Sequence, residues 1–135
     1  REKRGLTYGI GTALANYDHA AMLSGQFQAS NDKVAEAISV IRAQWALSAA
    51  EGVSQQELDD AKTYMTGAYP LRFDGNGPIA AILVGMQMQG LPTSYVTERN
   101  AKVDAVTKED VARVAKRLMD PEALTFVVVG RPAGI

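Results

Sequence analysis

Cysteine is absent from this 135-residue chain. Disulfides, thiol nucleophiles and thiolate metal sites are excluded together, while the redox compartment stays open. Histidine is nearly absent: His19 stands alone, and one imidazole cannot build a conventional zinc site or the usual metal triad. Its place in a turn pattern makes a solvated polar residue the simplest reading. Net charge is missing as well. Fourteen Lys plus Arg stand against 15 Asp plus Glu to leave -1, which gives no electrostatic footprint for nucleic acid or an anionic membrane. The longest apolar run, Ile79 to Met88, is too short and too interrupted to span a bilayer. No Gly-x-Ser-x-Gly elbow occurs, and no serine or threonine has a general base close by in sequence. Gly9 and Gly11 lie within a strand pattern, with no Walker lysine after them, so they do not make a phosphate loop.

What is present is an ordinary globular composition, 47% hydrophobic and 21% charged, without repeats or low-complexity tracts. The length fits one domain able to bury about two thirds of its unfolded surface. The chain opens on the basic run Arg1-Glu2-Lys3-Arg4, closed by Gly5. That pattern is the last turn of a helix, with cations at the carbonyl end of the dipole and glycine as the left-handed cap. From Leu6 to Tyr17 the period is two, giving a strand with a nearly bare second face at Gly9, Gly11, Ala13 and Ala15. After a turn over Asn16 to His19, Ala20 to Ala29 returns as its antiparallel partner, with Leu23, Phe27 and Ala29 on the inner face and the other side wet.

Ser30 and Asn31 are N-cap candidates for a long helix with a stripe of Val34, Ile38, Ile41 and Trp45, ending at Gly52. Ser54 and Glu57 form a capping box for a second helix, with a stripe of Leu58, Ala61, Met65 and Ala68. The irregular segment Tyr69 to Pro78 follows, because Pro70 must stop or kink the helix. Further helices are expected over Pro78 to Gln89, over Ser94 to Val106, and from a Thr107/Asp110 cap through Val111, Val114 and Leu118. Leu124 to Val129 is uninterrupted, apolar and β-branched, the pattern of a strand buried on both faces. The expected fold class is α+β: an antiparallel or mixed sheet with helices layered on one face. A central strand needs neighbours on both edges, so a further strand and the start of a helix are expected upstream of residue 1. On this reading the chain is a single domain, 1–135, that is a processed or excised piece.

The candidate chemistry is sparse. Glu57, Asp59 and Asp60, like Lys108, Glu109 and Asp110, sit in first helical turns where solvated dipole partners suffice as an explanation. Met86 and Met88 fit a helix with one methionine in the core and the other half exposed. Arg1 and Tyr8 remain, seven positions apart across a helix-to-strand corner. Both are donors without being strong bases, and together they could hold a peptide carbonyl and an anionic oxygen. Spacing alone favours the simpler reading, in which Arg1 is a helix-end cation and Tyr8 half-buried strand filler.

Arg-Glu-Lys-Arg-Gly-Leu-Thr-Tyr at 1–8 resembles the signature that opens the C-terminal homologous domain of the insulinase/pitrilysin-like zinc peptidases, in the subgroup that includes mitochondrial processing peptidase. Glu57-Leu58-Asp59-Asp60-Ala61-Lys62, Tyr69-Pro70-Leu71-Arg72-Phe73-Asp74 and the final Thr125 to Gly130 resemble it further. The resemblance implies two similar α+β domains closing on an extended or unfolded peptide. One carries the inverted zinc motif His-x-x-Glu-His, which this sequence lacks; the other is metal-free and lends an arginine and a tyrosine across the cleft. By resemblance Tyr8 is the oxyanion donor and Arg1 positions the substrate. No cofactor is expected in this chain; zinc is implied in the partner domain or subunit that bears His-x-x-Glu-His. The alternative is a non-catalytic structural or assembly subunit that keeps the fold. Self-association through an unpaired sheet edge is a further expectation. The cysteine-free composition leans towards a bacterial, exported enzyme.

Overall fold

The computed structural model describes residues 2–135. The fold is α+β, with a two-stranded antiparallel sheet and five α-helices among the described residues. They divide into two compact units: everything up to Leu47 together with Met119–Ile135, and Ser48–Leu118.

In the first unit, the basic opening forms a turn that ends on Gly5 at φ 58°, the left-handed cap expected of it. Leu6 next to it is buried. The hairpin consists of β1 (Ile10–Tyr17) and β2 (Ala20–Phe27), in register from Ile10↔Phe27 to Tyr17↔Ala20 around a turn at Asp18 and His19. Ile10, Thr12 and Leu14 lie across from Phe27, Gly25 and Leu23 on one face, and Gly11, Ala13 and Ala15 from Gln26, Ser24 and Met22 on the other. The strand begins at Ile10 and not at Leu6, because the Thr7 side chain engages the polar groups of Gly9. Nor is one side dry. Ile10 and Leu14 on one face and Tyr17 and Met22 on the other are exposed, while Leu23 and Phe27 are half-buried, so neither face of the hairpin is fully covered.

A 3-10 turn, Asn31–Lys33, leads into α1 (Val34–Glu51). The helix buries Val34 and Ala37, with Ile38, Ile41 and Trp45 half-buried along the expected stripe. Ser30 has the extended backbone of an N-cap but makes no side-chain cap bond to the turn.

The C-terminal part of this unit corrects the reading of Leu124 to Val129. Among the described residues this run joins no ladder. A buried strand needs a neighbour that offers backbone donors and acceptors, and the two strands present are paired with each other. Arg42 Nη1 donates to Pro121 O at 2.7 Å, and its guanidinium lies 5.3 Å from the Phe126 ring centroid. Val127 and Val129 are 88% and 96% exposed. Beyond them Asn31 holds the tail. Its side-chain oxygen accepts from the Arg131 amide at 3.2 Å, and its carbonyl from the Ala133 amide at 3.1 Å.

The second unit is helical: α2 (Gln55–Ala68), a 3-10 turn at Pro70–Arg72, α3 (Asn76–Met88), α4 (Tyr95–Asp104) and α5 (Lys108–Leu118). Both capping boxes form. Ser54 Oγ accepts from the Glu57 amide at 3.2 Å while Glu57 accepts from the Ser54 amide at 2.8 Å, and Thr107 and Asp110 repeat the exchange. Helix α3 starts two residues before the expected Pro78, because a first-turn nitrogen has no intrahelical acceptor to lose. Three side chains tie α2 to α4 through carbonyls: Lys62 to Asp104 at 2.8 Å, Arg99 to Met65 at 3.1 Å and Asn100 to Thr66 at 3.1 Å. Tyr69 is buried beside them, with Arg99 4.4 Å above its ring and Phe73 packed edge-on at 5.2 Å.

Candidate functional site

The corner between Gly5 and β1 is built from three local features. Gly5 turns the chain, Leu6 anchors it, and Thr7 closes a small ring around the next residue. Thr7 Oγ1 donates to Gly9 O at 2.7 Å and accepts from Gly9 N at 3.2 Å, so the backbone on either side of Tyr8 is fixed. Tyr8 is 92% exposed. That rules out the strand-filler reading, since a packed filler would be covered.

Tyr8 comes just before the ladder, whose last pair is Ile10↔Phe27, and Gln28 to Ser30 come just after it on the other strand. An open recess of about 400 Å³ lies there, lined by Gly5, Thr7, Tyr8, Gln28, Ser30 and Lys33 among others. Lys33 Nζ reaches back to Gly5 O at 3.4 Å, a long bond that bridges the two sides of the recess. A second groove, lined by Glu2, Lys3, Arg4, Leu6, Val40 and Gln44, shares Leu6 with it. Asp32 is held below the usual aspartate range, first by the Ser30 hydroxyl, then by its own backbone amide and to a small extent by the Lys33 charge.

Arg1 lies outside the described residues. His19 is exposed in the hairpin turn, and the length of β1 carries it about 25 Å from the Tyr8 corner, so the two are not brought together. Glu57 and Asp110 act as capping carboxylates. Glu57 is held below the usual range by the amide and hydroxyl of Ser54, and Asp110 chiefly by Arg113 and then by Thr107. Thr7, Gln28 and Lys33 carry no site signal in the sequence, and Ser30 reads there only as an N-cap candidate. The hairpin register was the signal that could have found the residues at 28–30, whereas Lys33 is brought in by the 3-10 turn.

Zinc needs three or more ligating side chains converging on one point, and no such group of His, Cys, Asp or Glu occurs among the described residues. With one histidine and no cysteine in the chain, its donor set does not fit a zinc cage. What the corner offers chemically is hydrogen-bond donors and one ammonium, suited to a carbonyl or an anionic oxygen. No helix among the described residues is long and apolar enough to cross a membrane.

No curated protein matches the chain. Residues 1–65 match the family model described as the Peptidase M16 inactive domain. The matched stretch holds the Tyr8 corner, the hairpin, α1 and most of α2, and stops before Tyr69. An inactive domain of this kind implies a catalytic partner domain. Through its first 65 residues the chain is similar to the non-catalytic domain of the peptidase M16 family.

Proposed function

We propose that this chain is the substrate-binding, metal-free half of a zinc-dependent endopeptidase of the processing-peptidase-like kind, acting on extended peptides. Its Tyr8 hydroxyl donates to the carbonyl oxygen of the scissile bond as that oxygen becomes an oxyanion, and Arg1 holds the neighbouring substrate backbone. Zinc and the general base come from a His-x-x-Glu-His domain or subunit. The observation that carries this reading is the exposure of Tyr8 on a corner fixed by Thr7, inside the stretch that matches the family. A donor held rigidly where charge develops stabilises the transition state more than the ground state.

The test is a Tyr8→Phe substitution in the enzyme assembled with its zinc-bearing half. Turnover should fall about 100-fold with KM nearly unchanged, as expected for loss of one oxyanion donor. Unchanged turnover would remove Tyr8 from the mechanism. If the assembled protein hydrolyses no peptide, the peptidase reading fails as a whole and a structural subunit takes its place.

A further inference from the structure

We infer that Lys33, with the recess beside Tyr8, is a carboxylate-recognition subsite that selects peptides carrying an acidic group close to the bond held at Tyr8. The inference rests on the peptidase reading of Tyr8 for its biological meaning, but its chemistry stands on the recess itself. Among the described residues that line it, Lys33 is the one charged side chain; the others offer hydroxyls, an amide or apolar atoms. The carboxylate adjoining it in sequence, Asp32, feels the Lys33 charge only to a small extent, its pKa being lowered chiefly by the Ser30 hydroxyl and its own amide. Lys3 and Arg4 line the neighbouring groove against the single carboxylate of Glu2, so the surroundings add positive potential.

Geometry favours an anion over a neutral group. Lys33 is half-buried, which screens its charge less than full exposure would, and its long bond to Gly5 O uses only one of three ammonium protons. Thr7 shares its hydroxyl with Gly9 and is a positioning residue, whereas Gln28 can add an amide donor to the bound group. A peptide held near Tyr8 could present either an acidic side chain or its terminal carboxylate, and the same ammonium would take both.

The two sources separate in a titration of the 135-residue chain followed by the backbone amide signals of Gly5, Thr7 and Gly9. The probes are acetyl-Ala-Ala-Glu-Ala-Ala-amide, its Gln counterpart, and an acetylated penta-alanine with a free C-terminus. The Glu peptide should bind about fivefold tighter than the Gln peptide, the scale of a partly screened ion pair. Tight binding of the free-carboxylate peptide instead assigns the subsite to a chain terminus and keeps the proposal. The preference should vanish in Lys33→Met, which retains the aliphatic stem, and return in Lys33→Arg. Equal affinity for the Glu and Gln peptides with no binding of the free carboxylate overturns the inference. So does a preference that survives Lys33→Met, or an absence of shifts with all three probes. Loss of hydrolysis in the assembled enzyme with this discrimination intact would instead count against the peptidase reading alone.

Discussion

The hairpin β1–β2 and the helix pair α2–α4 solve the same problem differently. In the hairpin every cross-strand pairing is internal, and Ile10 and Leu14 on its apolar face are left in solvent. In the helix pair, Lys62, Arg99 and Asn100 reach across to carbonyls of the other helix, and Tyr69 is buried against Arg99 and Phe73. A two-stranded hairpin alone is marginal in water because its ladder satisfies the backbone without removing apolar area. The helix pair carries its own support. The half of the chain that holds the candidate site is therefore the half whose stability depends more on what covers it.

A matched pair of leucines is the strongest way to break that contrast. Leu58→Ala in α2, where the side chain is buried, should destabilise the chain by about 2–3 kcal/mol in urea unfolding. Leu14→Ala in β1, at 71% exposure, should change it by no more than about 0.5 kcal/mol. Equal costs in the isolated chain would mean the hairpin face is already covered. A cost for Leu14→Ala that appears only in the assembled enzyme would identify the partner as the cover. Next in size, Arg99→Ala removes both the stacking on Tyr69 and the bond to Met65 O. A loss of about 1–2 kcal/mol is expected, and a neutral result would mean these contacts do not hold α4 to α2.

The smallest effect separates local capping from packing. Ser54→Ala should cost about 1 kcal/mol. Because Glu57 and Asp110 have depressed pKa values in the folded chain, their contribution is complete above the ordinary values of 4.5 and 3.8 and is lost as pH falls below them. Amide exchange protection at Ser54 and Thr107 should weaken between about pH 5 and about pH 3, and in Glu57→Gln the Ser54 amide should lose this dependence. Protection that is flat across that window would assign the helix starts to packing alone.

Much of the fold was legible because its signals are local. The Ser54/Glu57 and Thr107/Asp110 boxes, the left-handed Gly5 and the period-two alternation of the hairpin each involve residues within a few positions; the boxes formed where the pattern placed them, and the hairpin formed with its first strand starting later, at Ile10. Leu124 to Val129 misled for the opposite reason. Its pattern states a preference for burial, but a strand exists only with a neighbour, and none is supplied among the described residues. The candidate site divides along the same line. Tyr8 could be singled out from its setting and its resemblance, while its exposure could not. The placing of Gln28 and Ser30 in the recess beside it required the hairpin, and the placing of Lys33 required the turn.

The sequence by itself determined the class of fold and the two capped helix starts, since these depend on composition and on contacts between near neighbours. Only the tertiary structure decided that Tyr8 is exposed beside a recess that Lys33 lines, and that the terminal apolar run joins no ladder among the described residues. Both outcomes depend on segments distant along the chain meeting or failing to meet, and no local pattern encodes the entropy and backbone pairing that decide such encounters.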